Sequence, residues 1–385
     1  MRNQFLLNPD IVFLNHGSFG ACPKDVFAEY QRWQMELEQN PVEFLGRKSA
    51  NLLAAARGRL AEFLGANPDN LVFITNTTMG INAIAKSLSL TKGDEVLTTN
   101  HEYGACDNTW KQVCSKHDAK YIAADIPLPF ESEKFGDRIW ERVTPRTRVL
   151  YLSHVTSTTA IIFPIKDICA KARAAGIITV IDGAHAPGLI DVNLNELDAD
   201  FYVGNCHKWL MAPKGSAFLH ARPSAQALIE GLTTSWGYSP DVEGYTDFFG
   251  YAGKTPMERK HQWQGTRDIS AFLAVPAALN FRERHNWKSK QRECHSLAME
   301  TMDRILAVNK LNPIARPADF AQMVAIPIPA AGANQLKRKL FENHRIEVPI
   351  TSHNNRWFVR PSVQVYNTPA ELEKLISCLQ MFSDC

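Results

Sequence analysis

Ile177-Ile178-Thr179-Val180-Ile181-Asp182-Gly183-Ala184-His185 is a short apolar run that stops abruptly on a carboxylate. It falls far below the roughly 18 uninterrupted apolar residues of a membrane helix and reads as a buried strand. Upstream, Leu71-Val72-Phe73-Ile74, Glu95-Val96-Leu97-Thr98 and Arg148-Val149-Leu150-Tyr151-Leu152 are runs of the same kind, and Phe201-Tyr202-Val203 lies downstream. Between them apolar residues recur at helical spacing, from Asn51 to Leu64, from Gly80 to Leu88 and from Ile168 to Ala175. Strands alternating with helices predict an α/β fold with a mostly parallel sheet flanked by helices.

The chain has 385 residues, and a single core rarely grows much beyond about 250 residues. A large domain over residues 21–255 is therefore expected. Residues 1–20 and 256–385 would form an N-terminal arm plus a smaller α+β C-terminal domain, ending in an amphipathic helix from Ala370 to Phe382. The 42 basic and 40 acidic residues leave a formal net charge of +2, and no basic run marks a nucleic-acid or membrane surface. A small molecule is the expected partner. The eight cysteines form no Cys-x-x-Cys pair, so reduced thiols are expected and no metal site. No secretory signal opens the chain, which reads as soluble and cytoplasmic. Trp236, Tyr238, Tyr245, Phe248, Phe249, Tyr251 and Trp263 crowd a stretch rich in glycine and proline. It reads as an excursion at a site mouth or a subunit interface, or as rings packed under a long loop.

Ligands of such sheets collect at the carboxyl ends of the strands. Polar clusters come directly after the strands here: Thr75-Asn76-Thr77-Thr78, Asn100-His101-Glu102-Tyr103, Ser153 to Thr158, Asp182 to His185, and Asn205-Cys206-His207-Lys208. A lysine can hold an aldehyde cofactor as a Schiff base, and an aspartate facing a pyridine nitrogen keeps that nitrogen protonated. Lys208 and Asp182 thus compose a candidate pyridoxal 5'-phosphate site. Thr77-Thr78-Met79-Gly80, after a strand and before a helix, offers amides and hydroxyls where a phosphate is favoured. Thr-Thr in that position is also an ordinary helix cap.

Taken together, Asn-Thr-Thr-x-Gly (76–80), His-Glu-Tyr (101–103), Ser-His-Val-Thr-Ser (153–157), Asp-Gly-Ala-His (182–185), His-Lys-Trp (207–209) and Trp-Gln-Gly-Thr-Arg-Asp (263–268) resemble the class V aminotransferase family. The Asn-His-Gly-Ser-Phe-Gly arm at 15–20 is similar to its isopenicillin N epimerase-like branch. The resemblance implies a fold-type I enzyme, a seven-stranded-type sheet and a homodimer. It implies Lys208 as the cofactor's lysine and Asp182 as partner of the pyridine nitrogen, with His185 and Ser157 on the ring oxygen. Thr77, Thr78, Asn205 and His207 would hold the phosphate, joined by Thr266 of the other subunit, and Tyr103 would stack on the ring. Arg360 would take the substrate's α-carboxylate, a bidentate task suited to a guanidinium, with Arg345, Arg356 and Arg267 as competitors. Asn15 and His16 would close over the substrate.

Once the Cα proton has been removed, the pocket sets the outcome. Return of the proton on the opposite face is epimerisation, expulsion of a β-substituent is a lyase reaction, and transfer to the cofactor is transamination. Cysteine desulfurases of the family carry a nucleophilic cysteine ahead of the carboxylate-binding arginine, whereas Ile346 to Val359 contains none. Epimerisation calls for an acid opposite Lys208, for which Tyr103 stands first and His101 second. The expected activity is epimerase-like, at Cα of an amino acid or amino-acid conjugate, with a C–S β-lyase as the alternative and an aminotransferase behind both. A non-catalytic cofactor-binding protein is disfavoured because Lys208 and Asp182 are both present.

Overall fold

A computed structural model describes residues 1–238 and 253–383. The arm contributes a short strand, β1 (Val12–Phe13). The apolar runs then form β2 (Leu71–Ile74), β3 (Glu95–Thr99), β4 (Lys120–Ala124), β5 (Thr147–Ser153), β6 (Ile178–Gly183), β7 (Phe201–Asn205) and β8 (Ala217–Ala221). They build one seven-stranded sheet in the order β2-β8-β7-β6-β5-β3-β4. Strand β8 is antiparallel to both neighbours and every other pairing is parallel, which is the mostly parallel sheet expected of a fold-type I enzyme.

The strands read as continuous apolar runs because both sheet faces are covered. Successive side chains point to opposite faces. Val149 and Tyr151 join Trp110 and Ile81 on one side, and Leu150 and Leu152 join Phe163 and Ile168 on the other. The helix Thr77–Ser87 starts directly after β2 because Asn76 caps it, its side-chain oxygen accepting from the Met79 N–H at 2.9 Å.

In the C-terminal part, β9 (Ile326–Ile328), β11 (Ile350–His353) and β12 (Arg356–Val359) form an antiparallel sheet in the order β11-β12-β9. Strand β10 (Ile346–Glu347) instead pairs in parallel with β1, which fastens the arm to this part of the chain. The terminal helix, Pro369–Ser383, packs against the helix Trp287–Asn309. The expected domain boundary at residue 255 does not coincide with a change of packing. The helix Pro256–Gln262 lies on β2, and Val275–Arg284 lies on the helices Lys24–Gln39 and Ser49–Phe63. Buried Arg57 pairs with Glu258 and donates to Gln262 at 3.1 Å, tying this segment to the large unit.

Of the aromatic stretch, Tyr245, Phe248, Phe249 and Tyr251 lie outside the described residues. Trp236 is exposed, Trp263 packs against the core, and the Tyr238 hydroxyl accepts from the Gly231 N–H at 2.6 Å.

After β1 the arm passes beneath the loop that carries Lys208. Gly20 has φ +73° and ψ 163°, and a Cβ there would stand 2.1 Å from the His207 carbonyl oxygen and 2.8 Å from that of Lys208. Neither backbone group can yield cheaply. Gly20→Ala is expected to cost about 3 kcal/mol in urea unfolding from strain and overpacking combined. Gly58→Ala, in the helix Ser49–Phe63 with open space around it, should instead stabilise by about 0.5–1 kcal/mol.

Candidate active site

The carboxyl ends of β2, β3, β5, β6 and β7 open on one cavity. Thr77 and Thr78 reach it after β2, Tyr103 after β3 and Ser157 after β5. Asp182 and His185 come from the end of β6, and Asn205, His207 and Lys208 from the end of β7. Ser18 and Phe19 of the arm complete its wall.

Asp182 is buried, and burial, the largest influence on it, pushes its carboxyl above the usual range. Donors oppose that effect. Oδ1 accepts from the Ala184 N–H at 2.9 Å, and Oδ2 from the Tyr151 hydroxyl at 3.2 Å and the Cys106 thiol at 3.6 Å. The Cys106 thiol is itself held well above its ordinary range, first by burial and then by the Asp182 charge, so it is a weak donor here and no nucleophile. The Lys208 ammonium is brought down to about 8 by burial, against the pull of Asp182 and with the push of Arg360. Its Nζ lies 3.1 Å from His185 Nε2. An amine in that range is still mostly charged at pH 7, with about a tenth neutral, but it gives up its proton far more readily than an ordinary lysine and, once neutral, can act as nucleophile and base.

Opposite, the Thr77 N–H donates to Asn205 Oδ1 at 3.0 Å, and the buried Thr77 hydroxyl has no partner among the described residues. His207 Nδ1 is 2.8 Å from the Ser216 carbonyl, which can only accept, so Nδ1 carries the proton and the ring's other nitrogen remains for the cavity. An orphaned hydroxyl at a helix start, beside a histidine, fits a phosphate. A lysine and a buried carboxylate at the other end fit a pyridine aldehyde. These residues therefore suit pyridoxal 5'-phosphate.

Tyr103 stands at the rim, 47 % exposed, as N-cap of the helix Gly104–Lys116. Its neighbour His101 is not available as an acid. The ring is buried, with Nδ1 2.8 Å from the Thr159 hydroxyl and Nε2 2.8 Å from the Ile126 carbonyl. Glu102, pushed up to about 8 by burial, accepts from the Ser153 N–H at 2.9 Å and the Thr99 hydroxyl at 2.7 Å, and so braces the turn that presents Tyr103.

The four arginines separate by environment. Arg345 is exposed at a helix end and lies over Phe341, Arg356 reaches the Leu128 carbonyl at 3.5 Å, and Arg267 donates to the Gln262 carbonyl at 3.0 Å. Arg360 is 4 % exposed, donates to the Ser157 carbonyl, and its Nε has no partner among the described residues. Its charge is felt at both Lys208 and His185.

The structure does not place Asn15 and His16 on the cavity wall. The Asn15 amide donates to Glu347 at 3.3 Å, and fully buried His16 lies with Nδ1 2.9 Å from the Tyr366 hydroxyl and Nε2 3.1 Å from the Lys208 carbonyl. Their neighbours Ser18 and Phe19, quoted in the same motif, reach the wall instead. Thr266 is exposed and lines no part of this chain's cavity. Tyr151, Cys106 and Trp209 contact the site residues, yet in sequence they look like core.

The aminotransferase class-V family model matches residues 12–375. The chain is 35 % identical to isopenicillin N epimerase of Amycolatopsis lactamdurans, over 99 % of this chain and 98 % of that protein. It is 25 % identical to hercynylcysteine sulfoxide lyase of Schizosaccharomyces pombe, over 95 % and 93 % respectively. A solved mutant of C-DES, with glycine covalently linked to its PLP cofactor, superposes with a TM-score of 0.83 at 19 % identity, covering 99 % of each chain, and shares the fold. The chain belongs to the class-V aminotransferase family and is a pyridoxal phosphate-dependent enzyme.

Two measurements test this site. Lys208→Ala should abolish the visible absorbance of the cofactor-loaded protein while leaving its unfolding transition in place. In cofactor-free protein, trinitrobenzenesulfonate labelling of Lys208, read out by mass spectrometry, should rise with pH through a midpoint near 8. A midpoint near that of an ordinary lysine, about 10.4, would contradict the depressed amine.

Proposed function

We propose that this enzyme inverts the configuration at Cα of an amino acid or amino-acid conjugate, as an isopenicillin N epimerase-like enzyme. The observation that carries the reading is Arg360, a buried guanidinium with an unpartnered Nε, whose charge is felt at Lys208 and His185. A buried cation left without a carboxylate is costly unless an anionic ligand completes it, and an α-carboxylate bound there would bring Cα toward the lysine. Pyridoxal phosphate, when bound, holds the substrate's amino group and accepts the electron pair left at Cα. Asp182 keeps the pyridine nitrogen protonated, and Thr77, Thr78, Asn205 and His207 hold the phosphate, with Ser157 beside His185 at the ring oxygen. Lys208 removes the Cα proton. The Tyr103 hydroxyl returns one on the opposite face, so that nothing is gained or lost overall.

A second reading is favoured by the sulfoxide lyase relative. Lys208 would remove the same proton, and a sulfur substituent at Cβ would then leave with the bonding pair. Persulfide-forming desulfuration lacks its nucleophile. Ile346 to Val359 contains no cysteine, and Cys378, the next one, is buried in the terminal helix with its thiol raised by burial.

Phe19 and Tyr103 are exposed on the cavity wall at 72 % and 47 %, which supports a homodimer in which a second copy covers them and supplies Thr266 to the phosphate. A cytoplasmic setting agrees with the described cysteines, all of which are free. Among the described residues no helix is long and apolar enough to cross a membrane.

A proton NMR time course in D₂O, over L-amino acids, cysteine conjugates, their sulfoxides and a penicillin-type tripeptide, decides between the readings. Loss of the Cα proton signal with an intact skeleton and a D-product establishes epimerisation, whereas pyruvate, ammonia and a sulfur fragment establish the lyase. Arg360→Lys should lower kcat/KM by about tenfold or more for the preferred substrate, because one point charge replaces a fork. Tyr103→Phe should slow inversion more than exchange of the Cα proton with solvent.

A further inference from the structure

The indole Nε1 of Trp209 lies 3.4 Å from Nδ1 of His185. An indole nitrogen only donates, and a neutral imidazole carries one N–H, so Nδ1 accepts and the proton sits on Nε2. That second nitrogen is the one 3.1 Å from Lys208 Nζ, on the cavity side. We propose that Trp209 is a positioning residue that fixes the tautomer of His185, so that the imidazole always presents an N–H to the cavity. Before the cofactor arrives, and above the Lys208 midpoint of about 8, that N–H points at the lone pair of the neutral Lys208 amine. With the cofactor in place, it would be offered to the ring oxygen, an acceptor that the opposite tautomer would oppose with a lone pair. Burial, aided by the charges of Lys208 and Arg360, holds the ring well below its ordinary range and keeps it neutral.

Trp209 is fixed tightly enough for this task. It is fully buried, its ring centroid is 4.9 Å from that of His16, and its carbonyl accepts from Arg282 Nη1 at 3.0 Å. Gly188 passes so close that a Cβ on it would stand 2.7 Å from the same carbonyl oxygen. The preceding carbonyl, of Lys208, accepts from His16 Nε2 at 3.1 Å. Both peptide oxygens of the Lys208-Trp209 pair are thereby held, and the indole cannot swing away from His185.

The role toward the ring oxygen rests on the proposed part of His185 in the cofactor site, but the tautomer can be read without cofactor, so the two can fail separately. The experiment is long-range proton–nitrogen correlation NMR on cofactor-free protein labelled with ¹⁵N at histidine and tryptophan, recorded above the Lys208 midpoint of about 8 so that the amine is neutral. His185 is assigned by its loss in His185→Gln. The expected result is a protonated Nε2, an unprotonated Nδ1, and a ¹⁵N–¹⁵N coupling across the hydrogen bond from Trp209 Nε1. Trp209→Phe should reduce the preference for the Nε2–H tautomer by roughly three- to tenfold, the net worth of one neutral hydrogen bond, with the unfolding midpoint retained. A proton on Nδ1 in the unsubstituted protein, an absent coupling, or an unchanged tautomer in Trp209→Phe would overturn the proposal. The coupling needs no substitution, so it decides the matter even if the variant does not fold.

Discussion

A lysine amine and an aspartate carboxylate are confined together, out of water, at the end of a sheet, and that confinement dictates the surroundings of both. Burial disfavours charge on either group. Asp182 is answered by donors, the Ala184 amide and the Tyr151 hydroxyl. Lys208 receives the field of Asp182, but burial and Arg360 act against it and leave its amine near 8. The same environment thus sustains a buried carboxylate and loosens a proton from an amine, the opposed requirements of a cofactor partner and a base.

Holding this arrangement requires strand ends that do not shift. Strands β6 and β7 sit inside the sheet with both faces covered, so Asp182 and Lys208 leave from the most constrained part of the fold. The arm adds a clamp from outside the sheet, His16 on the Lys208 carbonyl and Gly20 pressed against the His207 carbonyl. Arg360 comes directly after β12 in the C-terminal unit yet donates to the carbonyl of Ser157, which lies beyond β5 in the large one.

Much of this was legible in the chain. Thr77, Asp182, Asn205 and Lys208 each come at or after the end of an apolar run, and a parallel sheet brings the carboxyl ends of its strands to one edge. Other readings depended on neighbours that no local pattern shows. His101 looked like an acid, but Thr159 and the Ile126 carbonyl occupy its ring nitrogens. His16 sits in a polar motif, yet Tyr366, far along the chain, turns it into a backbone clamp. The helices after residue 255 looked like the second domain because a composition change precedes them. Arg57, Glu258 and Gln262 bind them to the first.

The order of strands and helices, the family and the cofactor were determined by the sequence alone, because each is written in consecutive residues or in the order of runs along the chain. Which of four arginines is buried with its charge felt at the lysine, which tyrosine and cysteine donate to Asp182, and how Trp209 meets His185 were decided only by the tertiary structure. Burial and hydrogen-bond direction belong to groups that folding brings together from distant parts of the chain, and a side chain's charge and tautomer are set by those neighbours.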